Sequence, residues 1–383
     1  MRFRRAALCL LVAACQPAAA PPSAAPVTSS TSTSPPASSA APPAAAPAPK
    51  APTAAAPVAL PKAPASFGKS RVVSPVAPYA FGLAADDRAV YGASYQGAHG
   101  TFWVGRAGGD PNVLAPTEWA RDVAVEGGAV YWVVAKGGVH GGGVWTVPAA
   151  GGAAKELVAS EADATAIAAD ATHVYWVSHG SVSGPSPMVG PKAQLRRVPK
   201  SGGAPENLAA VPTTHRIVLA GDDVYLLVGD HFGMGQVLRV PRAGGAPVEL
   251  ATAGDNPYDM ALDDTHVYWI AQGPFETPKP APCKRPPCPA ATVAPLVERG
   301  ELRRVPRAGG SVEVLEKGLV HATSVAVGGT SVLYSAGGSL IERAKSAGPP
   351  ASRYPHTASS RFAVHGGEAF VLAGGRLVAF SAP

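Results

Sequence analysis

Cysteine is scarce in this chain: four in 383 residues, Cys9, Cys15, Cys283 and Cys288. The first two lie at the extreme N-terminus. Cys283 and Cys288 sit inside a Pro-rich stretch, Pro274–Pro295, without a histidine beside them. That makes a poor zinc site and, in an oxidising compartment, a small local disulfide between Cys283 and Cys288. No stretch carries the 3.6-residue periodicity of a long amphipathic helix, which excludes a helical bundle. The only N-terminal apolar run, Ala6–Ala14, is too short to span a bilayer as a mature helix. No nucleophile elbow, phosphate loop, calcium loop or dinucleotide fingerprint appears. The Gly-Gly pairs lie between strand-like runs, so they present no helix N-terminus to a phosphate. Gly137-Gly-Val-His-Gly-Gly-Gly143 looks like an oxyanion loop but has no Gly-x-Ser-x-Gly turn to serve. The sequence therefore assigns no catalytic residue, no metal ligand and no cofactor.

What the chain has instead is a unit recurring about seven times. Its clearest copy runs Tyr258-Asp-Met-Ala-Leu-Asp-Asp-Thr-His-Val-Tyr-Trp-Ile270, then Glu301-Leu-Arg-Arg-Val-Pro-Arg-Ala-Gly-Gly310, then Val312-Glu-Val-Leu315. Each copy divides into four short runs with strand composition. Asp-Asp or Gly-Gly steps separate the first two runs, and Gly-Gly pairs separate the last two. Pro148, Pro199, Pro241 and Pro306 end the third run, where a residue without a ladder N–H is tolerated. The second run aligns Tyr91, Tyr131, Tyr175, Tyr225, Tyr268, Leu333 and Phe370, a spacing typical of propeller blades. The expected fold is all-β: a β-propeller of seven four-stranded blades over residues 67–383. The last copy supplies only three runs, so Ser70–Pro75 is expected to return as the fourth strand of blade seven and close the ring.

Val174-Tyr-Trp-Val177 with Leu195-Arg-Arg-Val198, and Val267-Tyr-Trp-Ile270 with Leu302-Arg-Arg-Val305 and Gly309-Gly310, resemble the Tyr-Trp-Thr-Asp repeats of lipoprotein-receptor propellers. The resemblance implies a propeller over roughly residues 70–380. The Thr-Asp half of the motif is absent, with Val177-Ser178 and Ile270-Ala271 in its place, and the family's usual ring has six blades.

The N-terminus reads as an export signal: Met1-Arg-Phe-Arg-Arg5, then the apolar Ala6–Ala14. Val12-Ala-Ala-Cys15 resembles a bacterial lipobox, which implies cleavage before Cys15 and lipid on its sulfur and new amino group. The alternative is an ordinary signal cleaved near Ala18–Ala20. Gln16, rather than Asp, after the cysteine leans toward the outer membrane. Residues 15–66 are nearly all Ala, Pro, Ser and Thr and cannot bury a core. Stretched at ~3.1 Å per residue, such a tether reaches on the order of 150 Å. The expected address is the cell envelope, extracytoplasmic and membrane-anchored through lipid. The formal charge of +6 becomes +3 when the signal's Arg2, Arg4 and Arg5 leave. That mild excess and an exported address exclude nucleic acid as a partner. A monomer binding an envelope protein or a polar ligand is the expectation.

Propeller geometry sends the loops from strand two to strand three, and from strand four to the next strand one, to one face. Arg121, Asp122, His215, Arg216, Tyr258, Asp259, His321 and Arg361 lie where strand one begins and form the candidate ligand-binding set, accompanied by Asp163, Thr165 and Thr323. Loops between strands two and three carry His99, His140, His179 and Asp230-His231, for which the plainer reading is solvated loop residues. A second reading is a metal-assisted lyase or cyclase using His215, His321 and Asp259. His173 and His266 belong to the opposite face and read as hairpin residues. The insertions Gly180–Ala193 and Gly273–Arg299 join strands two and three, so they are expected to rise on the binding face.

Overall fold

In the computed structural model, the described residues run from 69 to 381, omitting 95–99, 117–118, 136–141, 162, 180–192, 230–233, 275–298, 347, 349, 351 and 355–360. The segments expected to be export signal and tether, together with His99, His140, Asp230-His231 and most of both insertions, lie outside them. So do Cys9 and Cys15, the residue expected to carry lipid. Cys283 and Cys288 also lie outside the described residues, and with them the disulfide expected between the two. Among the described residues every regular element is a β-strand, and the strands form seven four-stranded antiparallel sheets.

Six sheets are made of four consecutive strands. Their inner strands are Gly82–Ala85, Ala120–Glu126, Ala164–Ala169, Thr214–Ala220, Pro257–Leu262 and Val325–Val327, in blades one to six. The seventh sheet takes Ala363–His365, Glu368–Ala373 and Arg376–Ser381 from the C-terminal end and Lys69–Ser74 from the N-terminal end. Lys69 pairs with Ser381 and Val72 with Val378. The closure expected of Ser70–Pro75 is therefore present, and Arg71 reinforces it by holding Glu368 at 2.8 Å.

The local chemistry follows the repeat. Pro148, Pro199, Pro241 and Pro306 each end a third strand. After the last of these, the Gly309 N–H donates to the Pro306 carbonyl at 2.8 Å, and Gly309 and Gly310 adopt φ of +89° and +137°. Side chains other than glycine's rarely accept those angles.

The core is divided into seven apolar clusters, one at each seam between neighbouring blades. Strand alternation explains how one motif serves two seams. Tyr175 faces blade four while Trp176 faces blade two. Tyr268 faces blade six while Trp269 faces blade four. The inner-strand partners of the seven aligned second-strand residues are Ala84, Ala124, Ala168, Val218, Ala261, Ala326 and Ala363. Small side chains there leave room for the bulky ring where the blades converge.

At the rim opposite the mouth, a polar clamp recurs. Asp170 Oδ1 accepts the N–H groups of Thr172 and His173, both at 2.7 Å, while Oδ2 accepts the Tyr175 hydroxyl at 2.9 Å and Arg242 Nη1 at 2.5 Å. Arg242 follows strand three of the next blade. Asp263 repeats the arrangement with Thr265, His266, Tyr268 and Lys345 of blade six. Elsewhere the same position lays Lys200 over the Tyr131 ring at 5.3 Å and Arg307 over Tyr225 at 5.1 Å. Such contacts stitch neighbouring blades through charge-assisted hydrogen bonds and cation–π attraction. Burial alone would raise the Asp170 carboxyl, but its donors outweigh that and hold it down at about 2. Burial and the Asp170 hydrogen bond push the Tyr175 phenol up to about 12. His173 and His266 are hairpin residues of this clamp. The Arg pairs also split as alternation requires. Arg197 and Arg304 reach forward to the carbonyls of Arg242 and Lys345. Arg196 lies over Trp176 and pairs with the buried Glu161.

Candidate functional site

The site is built from one position in the repeat: the residue two before the inner-strand partner of the aligned second-strand residue. Around the ring it is Gly82, Asp122, Ala166, Arg216, Asp259, Ser324 and Arg361. In blades two to five the ladder slips just before or at this point, between Ala120 and Asp122, Ala164 and Ile167, Thr214 and Arg216, and Pro257 and Asp259. A bulge re-aims the side chain that follows it. Three residues before the position, Trp119, Asp163, Asn256 and His321 all take positive φ, from +47° to +67°. A non-glycine residue in that region costs on the order of 1–3 kcal/mol, so the turn is imposed by its surroundings.

Four charged side chains meet across the axis. Arg216 Nη1 lies 3.9 Å from Asp122 Oδ1, and its Nε lies 3.7 Å from Asp259 Oδ1. Arg361 mirrors it, with Nη1 at 3.7 Å from Asp122 Oδ2 and Nε at 3.6 Å from Asp259 Oδ1. Around the ring the signs alternate: Asp122 in blade two, Arg216 in four, Asp259 in five, Arg361 in seven. The remaining three positions are small. Gly82 has to be: a Cβ there would run into the Asp122 carboxylate, with the Asp122 Cα at 3.0 Å.

The acids are buried and anchored by backbone. Asp122 accepts the Val123 N–H at 3.0 Å and, from blade three, the Ile167 N–H at 3.3 Å. Asp259 Oδ2 takes the equivalent amide of blade six, Val325 N–H, at 3.1 Å. Burial pushes the Asp259 carboxyl up, and Arg216 and Arg361 counter part of that. Its other oxygen, Oδ1, has no hydrogen-bond partner among the described residues. The arginines are more open, at 18% and 16% side-chain exposure. Arg361 donates Nη2 to the His215 carbonyl.

The structure thus brings Asp122, Arg216, Asp259 and Arg361 together and places the other candidates around them. Arg121 and His215, each one residue ahead of a quartet member, are half-buried. Tyr258 packs toward the blade-six core. His321 is exposed, in its left-handed turn. His179 departs from the expectation of an outlying loop residue. It follows strand two directly, so it stays beside the inner strands, where Nε2 lies 3.2 Å from Thr165 Oγ1 and Nδ1 3.8 Å from Asp163 Oδ2. Burial lowers its pKa; Asp163 raises it and Arg121 lowers it further.

Among the described residues, no group of three or more His, Cys, Asp or Glu side chains is placed to hold a metal ion. The Asp259 carboxylate is surrounded by two arginines and backbone amides rather than by His215 and His321, which gives the lyase or cyclase reading no support.

Sequence reasoning missed the apolar part of this face. Tyr79, Trp119 and Met234 are 53%, 36% and 61% exposed. The first two precede inner strands and the third opens the third strand of blade four, so all three belong to the mouth face. Tyr79 meets Phe81 edge-on at 5.2 Å. Burial and the Tyr258 phenol of blade five raise the Tyr79 pKa. The signal was available, because Trp119 stands three residues before Asp122.

No family model and no curated protein matches this chain. Solved structures do match. The WD40 β-propeller domain of Doa1 aligns with a TM-score of 0.55 at 11% identity, covering 82% of this chain and 96% of that one. A chain of Kuenenia stuttgartiensis hydrazine synthase aligns with a TM-score of 0.57 at 12% identity, covering 82% and 98%. A chain of the nidogen/laminin complex reaches 0.45 at 12% identity over 71% and 92%, too distant to bear on the receptor-type repeat. At these identities the likeness is one of fold: the protein is a seven-bladed β-propeller.

Proposed function

We propose that this protein is a recognition module of the cell envelope, held to the membrane by lipid on Cys15 and presenting its channel mouth to an envelope partner. The observation that carries the reading is the composition of that face. Exposed Tyr79, Trp119 and Met234 share that face with a partly open arginine pair, and Trp, Tyr and Arg are the residues that dominate binding hot spots. Elsewhere on the described surface the large exposed hydrophobics are valines, among them Val113, Val248 and Val312 near the starts of outer strands. The export signal, the lipobox and the Ala/Pro tether support the address. The Tyr-Trp signatures support a distant kinship with receptor-type propellers. In that exported setting Cys283 and Cys288 pair as a local disulfide that stiffens the Pro-rich insertion of blade five.

The test is capture from native membranes with the lipidated protein. The wild type is expected to retain an envelope component that Tyr79→Ala/Trp119→Ala loses, with unchanged melting. Equal retention by both would remove the mouth from the binding surface. Cys15→Ser is expected to release the protein from the membrane fraction; unchanged fractionation would refute the anchor.

A further inference from the structure

We propose that the ring opens and recloses at one seam, between blades six and seven, while the other seams stay shut. This opening does not depend on what the mouth binds.

The position directly after the third strand is Arg106, Ala149, Lys200, Arg242, Arg307, Lys345 and Ala382 in blades one to seven. Where it is a cation, it fastens its blade to the preceding one. Arg106 lies over the Phe370 ring at 5.6 Å and holds Glu368 at 2.8 Å. Lys200, Arg242, Arg307 and Lys345 reach Tyr131, Asp170, Tyr225 and Asp263 in the same sense. The seams behind blades two and seven have alanine instead. Behind blade two, Arg88 of blade one takes over and donates Nη1 to the Ala149 carbonyl at 3.1 Å.

Behind blade seven the receiving side differs as well. Blades one, three and five present an aspartate that accepts a tyrosine hydroxyl: Asp86 with Tyr91, Asp170 with Tyr175 and Asp263 with Tyr268. Blade six has Gly328 and Leu333 at these two places. The turn itself is unchanged, since the Gly328 N–H donates to the Ser331 carbonyl at 2.8 Å as the Asp170 N–H does to that of His173 at 2.9 Å. Leu333 and Gly328 offer neither ring face, phenol nor carboxylate, and Ala382 brings no cation to them.

The same seam is short near the axis. Its inner strands, Val325–Val327 and Ala363–His365, have three residues each, against four to seven in the other blades. Leu333, Leu340, Phe362 and Phe380 pack across it, with Tyr354 edge-on to Phe380 at 5.1 Å. Apolar contact is non-directional, so it re-forms whenever the two walls meet. At the axis, Arg361 of blade seven reaches past blade six to Asp259 of blade five, at 3.6 Å. Opening the seam parts that pair and widens the mouth at one place; closing restores it.

The experiment is thiol labelling of the folded full chain, read peptide by peptide by mass spectrometry so that the chain's own cysteines are counted apart. Ala369→Cys puts a thiol on the blade-seven wall of the seam. Val224→Cys puts one at the matching position of blade four, against blade three, where the Asp170–Arg242 clamp is complete. Both positions are 0% exposed, so a thiol there reacts through the open population. Ala369→Cys is expected to label at least tenfold faster than Val224→Cys. Tenfold is ~1.4 kcal/mol, the size of one enclosed cation–π or charge-assisted contact. Gly328→Asp/Leu333→Tyr/Ala382→Arg installs the missing clamp, and the small Ala326 opposite Leu333 leaves room for the ring. It should slow Ala369→Cys at least tenfold and leave Val224→Cys unchanged. Ala326→Cys, on the blade-six wall, replaces Ala369→Cys if that variant fails to fold; the two-thiol comparison decides alone if the installed clamp fails to fold. Equal rates, or faster labelling of Val224→Cys, would overturn the proposal. So would labelling that merely follows each variant's urea midpoint, or a fast Ala369→Cys that a folded clamp variant does not slow.

Discussion

The clamp between blades three and four gives a quantitative prediction. Asp170 has four hydrogen bonds from its own hairpin and Tyr175, plus the Arg242 contact, and its side chain is 2% exposed. Asp170→Asn replaces one acceptor oxygen by an amide that faces donors, and leaves the buried Arg242 with only the exposed Asp222 carboxylate, at 3.5 Å, as an anion. Breaking a buried pair from one side costs on the order of 3–5 kcal/mol. Arg242→Met removes the charge and keeps the stem's volume while the hairpin still satisfies Asp170, so it should cost less, about 1–3 kcal/mol. The acid dependence has a definite sign. The folded carboxyl is held down at about 2, against 3.8 as the ordinary value. Its stabilisation is therefore fully present above pH 4 and lost as pH falls through 2. A depression of that size is worth about 2 kcal/mol. Urea unfolding of wild type and Asp170→Asn at pH 7, 4 and 2 should show a gap that is constant between the first two and narrows by about 2 kcal/mol at the last. A gap independent of pH, or an Asp170→Asn protein as stable as wild type at pH 7, would refute the reasoning.

Three further outcomes are expected. Deleting residues 68–76 removes the closing strand with its buried Val73 and the Arg71–Glu368 pair, and should abolish cooperative thermal unfolding; an unchanged melting profile would argue against closure. Gly82→Ala forces a methyl into the Asp122 carboxylate and should destabilise by about 1–3 kcal/mol, with Asp122→Ser recovering part of the loss in the same background, measured by urea midpoint. His321→Gly relieves a left-handed turn on an exposed residue and should raise stability by up to about 1 kcal/mol, whereas His321→Val should lower it; thermal melting distinguishes the two.

The fold was legible because each blade repeats its turn chemistry and its aromatic pair, and because the last copy is short by one strand that Lys69–Ser74 supplies. The site was legible only as a neighbourhood. Arg121, His215 and Tyr258 adjoin Asp122, Arg216 and Asp259 in sequence, and period-two alternation decides which of each pair turns to the axis. The bulge ahead of that position fixes the phase, and no residue type announces a bulge. The inward seat of His179 is hidden for a related reason: in the sequence it reads with the loop that follows rather than with the strand it extends. The Asp–Tyr–Arg clamp was hidden altogether, since Asp170 and Arg242 are 72 residues apart and their meeting depends on how one blade overlaps the next.

Seven is an odd number, and charges of alternating sign cannot occupy every place in an odd ring without two like charges becoming neighbours. Gly82, Ala166 and Ser324 resolve the parity by leaving three places blank. The blades therefore share a shape without being interchangeable parts. Exchanging blade four with blade five would swap Arg216 and Asp259, set like charges next to each other in the ring order, and leave each small neighbour facing the wrong side chain. Sequence drift along the outer strands meets no such restriction. The order of the blades in the chain is thus held by arithmetic at the axis, even where their backbones would superimpose.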